Sequence, residues 1–453
     1  MDADVTSLAA AAAAAAAARE EKRLASQRKR DADRAELDRH AEVMRNLRAR
    51  KAAEAAAAEE AGGPLPPPPR RVFRMAEFAA GLAGALVAVT ALAQQPCFSN
   101  VDFCSAFACD YEPSKIKLYN AAAAAMTPPS PPAVLADVTD AAFFTAARVA
   151  SWGPLDLIVS SIPCTSLSSL GKRDGLKSKT VSAFIVGLLR ILSLALAPVV
   201  VLECTRGLGS DKRLKQALLD PLSAMGYSST WTTLDARHWV GAVRLRLYMV
   251  CFRSEQAFKA FAFPSPPPAR EIKLYNCILP AFDPRARAGA VAPPSSYAMT
   301  PVQKKKLASA VLAAHRAGRK GRITKAQRAK AAKVCEKELS IAARAVAKLP
   351  LVRGRPTSRV VTFHFNRVTQ IERTYGVAPT LTKSGAYLLR DAFGVRSMTG
   401  AEVAKLHGYP QRVIAAYEAV ASSGQIVAAV GDGFVINVIR DVIKAAVRAE
   451  DGL

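Results

Sequence analysis

The chain has 453 residues, and its composition already limits what it can be. It carries 63 Lys and Arg against 37 Asp and Glu, a formal net charge of +26. Such an excess favours a polyanionic partner, nucleic acid first and an acidic membrane surface second. With 51% hydrophobic and 22% charged residues, the chain as a whole is not a disordered polycation. Its length allows two folded domains with extensions.

The charge is distributed unevenly. Residues 1–60 hold twelve basic and twelve acidic residues, so this Ala-rich stretch adds no net charge. Residues 301–356 hold 16 Lys and Arg against 2 acidic residues, which leaves +14 in one segment. A solvated helix face is the ordinary explanation of such a run, but so few acids favour contact with a phosphate backbone.

The eight cysteines form no C-x-x-C pair and no Cys/His quartet at zinc spacing, so we expect no metal. Their scatter indicates a reducing compartment. Two apolar stretches, 75–93 and 181–202, are interrupted by Glu77 and by Arg190 and Pro198. A membrane span needs about 20 apolar residues, so we expect no membrane partner.

From residue 72 onward, short apolar runs alternate with helical patterns. Strands are predicted at 72–79, 103–109, 132–136, 155–162, 198–203, 228–234 and 246–252. Helices are predicted at 84–93, 113–124, 140–150, 178–195 and 211–225. This alternation predicts an α/β fold with a mainly parallel sheet and helices on both faces, with ligands at the carboxyl ends of the strands.

The first three strands end in residues suited to a nucleoside-containing cofactor. Gly81 and Gly84 lie in a small-residue turn, where backbone can approach a ligand and helix amides stay free. Asp110 ends the second strand and is placed to bind ribose hydroxyls, or to cap the helix that follows. Asp137 ends the third strand with the same two interpretations.

The next two strands end in reactive groups. Cys164 follows Pro163 at the end of an apolar strand, where cations and helix N-termini stabilise a thiolate. A small buried cysteine is the alternative, and it suits Cys251 better. Glu203 ends a buried strand. Burying a carboxylate there costs free energy, so the group is expected to have a catalytic role or an ion-pair partner, for instance Arg206.

Two arginines lie on a later strand. Arg244 and Arg246 are two positions apart, so their side chains share one face of that strand. Two guanidinium groups on one face can clamp a phosphate or a carboxylate.

In this order, the residues resemble the motifs of the cytosine-C5 DNA methyltransferases. Pro163-Cys164, then Glu203, then Arg244-Leu245-Arg246 match the proline-cysteine, glutamate and arginine-x-arginine motifs of that family. The stretches EFAAGLAG and FACDYEPSKIKLYN resemble its two S-adenosylmethionine motifs. Three later segments resemble its closing motifs: APTLTKSG, RSMTGAEVAKLHGYP and AAVGDGFVINVI. The resemblance covers about 250 residues.

The resemblance implies a Rossmann-like S-adenosylmethionine-dependent methyltransferase domain with an inserted, smaller, basic target-recognition domain. It divides the chain into a low-complexity extension at 1–71, a catalytic domain at 72–254, a recognition region at 255–390 and a return segment at 391–453. The implied cofactor is S-adenosyl-L-methionine, and the implied cofactor residues are Phe78, Gly81, Gly84, Asp110, Tyr111, Asp137, Pro163 and Asp432.

The resemblance also implies a mechanism. Cys164 would attack C6 of a cytosine flipped out of duplex DNA, and Glu203 would protonate N3. Arg246, with Arg244, would orient the base. The expected DNA-contacting residues are Lys304, Lys305, Lys306, Arg319, Lys320, Arg322, Lys325 and Arg328.

Several neighbours of the motif residues depart from the family's pattern. The departures are Thr165 for a glutamine, Cys204-Thr205 for Asn-Val, Ala242 for a glutamine, Ala83 for a glycine and Asp432 for an asparagine. Two alternatives therefore stay open, an RNA cytosine methyltransferase of the same fold and a catalytically impaired nucleic-acid binder. We expect a monomer in the nucleus, with the cytoplasm or an organelle as alternatives.

Overall fold

The structure is a computed structural model. Its described residues are 70–163, 178–267, 351–352, 355–356, 361–364, 378, 380–381, 385–391 and 394–452.

Seven strands form the main sheet. They are β1 (Arg71–Phe78), β2 (Val101–Asp110), β3 (Val134–Leu135), β4 (Leu157–Ser161), β5 (Val199–Cys204), β6 (Ser228–Asp235) and β7 (Leu245–Phe252). Their order is β3-β2-β1-β4-β5-β7-β6. Strands β1 to β5 run parallel, whereas β7 is antiparallel to both β5 and β6. The prediction of a mainly parallel sheet is confirmed.

Helices connect and cover these strands. They are α1 (Gly84–Leu92), α2 (Pro113–Ala124), α3 (Ala146–Ser151), α4 (Lys179–Ala195), α5 (Gly207–Ser210), α6 (Lys212–Ala224) and α7 (Glu255–Ala260). Helix α3 begins six residues later than the predicted 140–150 helix. The reason is local, because Asp140 accepts hydrogen bonds from the amides of Ala142 and Phe143, and Thr145 then caps the helix.

Among the described residues from 351 onward, the chain adds short strands and four helices. The strands are β8 (Leu351–Val352), β9 (Arg355–Pro356), β10 (Val361–His364), β11 (Gly385–Asp391) and β12 (Gly394–Ser397). The helices are α8 (Gly400–Leu406), α9 (Gln411–Val420), α10 (Ser423–Asp432) and α11 (Ile436–Asp451). Capping boxes at Thr399–Glu402 and Ser422–Gln425 fix where α8 and α10 begin.

Strand alternation divides the apolar residues between two cores, one on each face of the sheet. On β5, Val199 and Val201 face the core that includes α1, α2 and helices α8 to α11. Val200 and Leu202 face the core under α4 and α6. Helix α11 packs on α1, and α9 packs on α2. The last four helices therefore cover the same face as the first two.

One close contact ties this C-terminal layer to the first turn of the fold. A Cβ at Gly84 would lie 2.6 Å from Cδ2 of Phe434. A larger residue at the start of α1 would displace the segment between α10 and α11. Among the described residues, no helix combines the length and apolarity that crossing a membrane requires.

Candidate active site

The carboxyl ends of β1, β2, β4 and β5 meet along one edge of the sheet, and the predicted site residues gather there. The turn after β1 is unusual. Ala79, Gly81 and Ala83 have φ angles of 51°, 52° and 58°, in the left-handed region that favours glycine. Three such residues curl the chain so that its amides point back at the ends of β1 and β2.

Asp110 braces this turn. It is 3% exposed, and its Oδ2 accepts a hydrogen bond of 3.1 Å from the Gly81 amide. Its Oδ1 accepts one of 2.9 Å from the Glu112 amide. The N-cap of α2 is Glu112, so Asp110 does not cap that helix, which was one of its two interpretations. Its carboxylate instead holds the ends of β1 and β2 together.

Glu77 also lies at this edge of the sheet, although it was not among the predicted site residues. It is fully buried near the end of β1. Its two carboxylate oxygens accept hydrogen bonds of 3.0 and 3.2 Å from the amides of Ala85 and Leu86, at the N-terminus of α1. Burial raises the pKa of the Glu77 carboxyl to about 8, although the two amides act in the opposite direction. The signal for it was an acidic residue within the apolar last four positions of β1, MAEF.

This carboxylate corrects the expectation that the first amides of α1 are free. The free amides at a helix N-terminus commonly bind the phosphate group of a cofactor. Here Glu77 occupies two of them from inside the protein. The turn therefore suits a nucleoside cofactor without a phosphate better than a dinucleotide, and S-adenosylmethionine is of the first kind.

Two further predicted cofactor residues are open to solvent. Tyr111 is 62% exposed immediately after β2, so its ring can stack on a base. Asp137 is also exposed, and its Oδ1 accepts a 2.9 Å hydrogen bond from the Thr139 amide. Beside it, a Cβ at Gly187 of α4 would lie 2.3 Å from the Val138 carbonyl oxygen, so α4 packs directly on this loop.

Phe78 lies elsewhere than predicted. Its ring is fully buried in the core beneath α4. The Phe78 centroid lies 5.8 Å from that of Phe107 and 6.0 Å from those of Phe144 and Trp152. Strand alternation directs this side chain away from the turn that holds Glu77, so its contribution is to packing.

Glu203 lies at the end of β5, 4% exposed and facing the C-terminal helical layer. Its Oε1 lies 3.0 Å from Nε of Arg246 on β7, and its Oε2 accepts a 3.0 Å hydrogen bond from Oγ of Ser161 on β4. Arg206, the alternative ion-pair partner, is exposed. The structure therefore joins two predicted residues, Glu203 and Arg246, and adds Ser161 to them.

Arg244 has a different set of contacts. It is 3% exposed and lies one residue before β7 begins. Its guanidinium donates hydrogen bonds of 3.2, 3.1 and 2.8 Å to the carbonyl oxygens of Leu381, Gly431 and Gly433. Two of these carbonyls end α10, where a cation is favourable. Arg244 thus holds the return segment, and the two arginines do not grip one common group.

Asp432, the last residue of α10, pairs with a lysine of α2. Lys115 of α2 places its Nζ 3.4 Å from Oδ2 of Asp432 and 3.5 Å from Oε2 of Glu112. A groove of about 180 Å³ lies between α2 and α10 beside this lysine. Where the family's pattern has an asparagine, this chain has a carboxylate with a lysine partner.

Two buried polar side chains, His407 and Tyr409, follow helix α8. His407 is fully buried, and its Nδ1 lies 3.0 Å from the Val403 carbonyl oxygen. Burial, with Arg244 nearby, lowers the pKa of His407 to about 3, so the ring is neutral. Burial raises the pKa of the Tyr409 hydroxyl. Both groups stay uncharged at physiological pH.

Other predicted residues fall at or beyond the edge of what is described. Pro163 is half-buried at the end of the described stretch that contains β4. Cys164 lies outside the described residues, as do all eight predicted DNA-contacting residues, Lys304, Lys305, Lys306, Arg319, Lys320, Arg322, Lys325 and Arg328. Within the described part of the chain, no group of three His, Cys, Asp or Glu side chains could hold a metal ion.

Parts of the chain are similar in sequence to known methyltransferases. The type II methyltransferase M.MspI of a Moraxella species is 32% identical over 115 residues, 25% of this chain and 27% of that protein. The type II methyltransferase M.BsuFI of Bacillus subtilis is 28% identical over 127 residues, 27% of this chain and 31% of that protein. The chain thus matches about a third of the length of these curated relatives.

Two further findings cover most of the chain. The methyltransferase EhMeth of Entamoeba histolytica has a similar fold, with a TM-score of 0.53 at 11% identity, covering 84% of this chain and 99% of that one. A family model described as C-5 cytosine-specific DNA methylase matches residues 73–448. Because this match covers most of the sequence, the chain belongs to the C-5 cytosine-specific DNA methylase family.

Proposed function

We propose that the chain is a DNA cytosine-C5 methyltransferase that uses S-adenosylmethionine and a covalent enzyme–cytosine intermediate. The observation that carries the proposal is the buried Glu203 carboxylate. It lies at the end of β5, directly opposite the end of the strand that leads into Pro163-Cys164. An acid and a thiol at neighbouring strand ends are the two groups that activation of a cytosine ring requires.

The chain's own residues then have distinct tasks. The Cys164 thiolate bonds to C6 of the cytosine, while Glu203 gives a proton to N3, so the ring nitrogen does not accumulate negative charge. Arg246 holds Glu203 in place through the 3.0 Å contact. Once C5 carries the methyl group, the C5 proton passes to a base such as water, the N3 proton returns to Glu203, and Cys164 leaves as a thiolate, which restores the aromatic ring.

The cofactor residues fit an S-adenosylmethionine molecule. Its sulfonium would supply an electrophilic methyl group to C5. Asp110 and the Gly81 turn form the floor of the pocket, and Tyr111 offers an exposed ring to the adenine. Because Glu77 already accepts hydrogen bonds from two amides at the N-terminus of α1, those amides do not need a cofactor phosphate as acceptor.

The proposed partner is duplex DNA, and the basic segment 301–356 is the proposed contact. Its support is the net charge of +14 in the region where this family inserts target recognition. Neutralising Lys304, Lys305 and Lys306 together should weaken DNA binding and flatten its salt dependence, without changing affinity for S-adenosylmethionine.

The decisive experiment measures transfer of a labelled methyl group to duplex DNA. Cys164→Ala should lower turnover by at least about 1,000-fold, and Glu203→Gln by about 100-fold or more. The wild type should form a trapped adduct on duplex DNA containing 5-fluorocytosine. Transfer that survives Cys164→Ala would refute the covalent mechanism. Preference for transfer RNA in a parallel assay would move the substrate to RNA, and no transfer to either would favour a binding protein.

A further inference from the structure

Ser161 and Glu203 are direct neighbours across the parallel pair β4 and β5. On β4, Leu157 and Val159 belong to the core that includes α1 and the C-terminal helices. Side chains alternate along a strand, so Ser161 shares this face with them. Its hydroxyl reaches Oε2 of Glu203 at 3.0 Å without leaving the sheet.

The Glu203 carboxylate has an ion-pair contact on one oxygen and a hydrogen bond on the other, and among the described residues Oε1 accepts no hydrogen bond. Arg246 contacts Oε1 through Nε, and Ser161 donates to Oε2. The contact with Nε alone would let the carboxylate rotate about its terminal bond. The second contact, on the other oxygen, removes that freedom.

We propose that Ser161 is a positioning residue for the methyl-transfer reaction, which fixes the carboxylate plane of Glu203 toward the cytosine ring. This inference rests on the proposed function, because it assigns Ser161 a task only if Glu203 acts on N3. If the Glu203 carboxyl group is wrongly oriented, proton transfer to N3 slows while the fold is unchanged, because proton transfer depends on the geometry of donor and acceptor.

The chain supplies a matched control. Ser160 precedes Ser161 and points to the opposite face, fully buried. Among the described residues, its hydroxyl has no hydrogen-bond partner. Ser160→Ala therefore removes the same atom from the same strand without touching Glu203.

The experiment compares kcat, KM for S-adenosylmethionine and adduct formation on 5-fluorocytosine duplex DNA, using the full chain. Ser161→Ala should lower kcat and the rate of adduct formation by about 10- to 100-fold, with KM and DNA affinity within about twofold. Ser161→Thr, which keeps a hydroxyl on Cβ, should restore most of the rate. Ser160→Ala should behave as the wild type.

A double-mutant cycle separates positioning from a general structural role. In a Glu203→Gln background, Ser161→Ala should change the remaining rate by less than about twofold, because the carboxylate it serves is gone. Additive losses, or a fall in thermal midpoint that accounts for the lost rate, would overturn the inference. If Ser161→Ala is fully active while Glu203→Gln is not, only the inference fails. If Glu203→Gln keeps full turnover, the proposed function fails.

Discussion

The two halves of the site are built by different means. On the cofactor side, at the ends of β1 and β2, Glu77 and Asp110 accept hydrogen bonds from backbone amides. On the base side, at the ends of β4 and β5 and the start of β7, Glu203 contacts the side chains of Ser161 and Arg246. Changes on the first side should therefore alter folding and cofactor affinity, whereas changes on the second should alter turnover.

Arg244 is the strongest test of this division, because it comes from the arginine motif of the base side but contacts the backbone of the return segment. Arg244→Met would leave three buried carbonyls without their donor. We expect the free energy of unfolding to fall by about 3–5 kcal/mol, measured by urea denaturation. The exposed Arg253→Met is the control and should change stability by less than about 0.5 kcal/mol. A stable Arg244→Met that has lost turnover would instead place Arg244 at the base.

Glu77 makes the cofactor side sensitive to pH. Its pKa is near 8 in the folded chain against an ordinary value of 4.5, so the folded state binds the proton more tightly than the unfolded state. Stability from this group is complete below about pH 4.5 and is lost as pH rises toward 8, with a slope of about 1.4 kcal/mol per pH unit.

The check is a series of denaturation curves between pH 5 and pH 8. Glu77→Gln should flatten this slope, while lowering stability at pH 5 because the amide group cannot accept a hydrogen bond from both helix amides. Glu255→Gln alters an exposed ion pair with Lys259 and should leave the slope unchanged. An unchanged slope in Glu77→Gln would show that Glu77 is ionised throughout.

Asp110 tests whether the backbone-built side sets cofactor affinity. Asp110→Asn keeps one acceptor oxygen and loses the charge, so the Gly81 turn loosens. We expect affinity for S-adenosylmethionine, measured by calorimetry, to fall about 10- to 100-fold. Asp102→Asn, on the same strand but paired with Arg70 at the surface, should bind normally. Equal affinity in both variants would mean that the turn does not need the carboxylate.

The periodicity of the sequence predicts most of the sheet, because buried parallel strands are near-continuous apolar runs that a single chain already displays. It does not predict that Glu203 and Arg246 lie together, because Arg246 begins its strand and reaches the end of β5 only since β7 runs antiparallel to it. The partners of Arg244 are not predictable in this way. They are carbonyls more than 130 residues away along the chain, brought close only when α10 packs.

Glu77 and Phe78 show a second limit. Both occupy one stretch of small and apolar residues, and alternation alone does not say which of them faces the cofactor turn. The answer depends on left-handed residues at three alternate positions after β1, Ala79, Gly81 and Ala83, of which two are alanines. Nothing in the side chain of an alanine indicates a positive φ angle, so the sequence predicts a turn here but not its left-handed backbone at Ala79 and Ala83.

These alanines give the smallest and most local test. At positive φ, a non-glycine residue costs about 1–2 kcal/mol, and glycine relieves this at an entropic cost of about 0.5–1 kcal/mol. Ala79 is partly exposed, so Ala79→Gly should raise the free energy of unfolding by about 0.5 kcal/mol. Ala83 is fully buried in the core, and losing its methyl group cancels the gain, so Ala83→Gly should be nearly neutral. Ala85→Gly, inside α1, should destabilise by about 1 kcal/mol or more. The contrary outcome is that Ala83→Gly stabilises the chain more than Ala79→Gly. Relief of backbone strain would then outweigh the lost burial of the Ala83 methyl group, and that strain would lie in the turn whose Gly81 amide donates to Asp110.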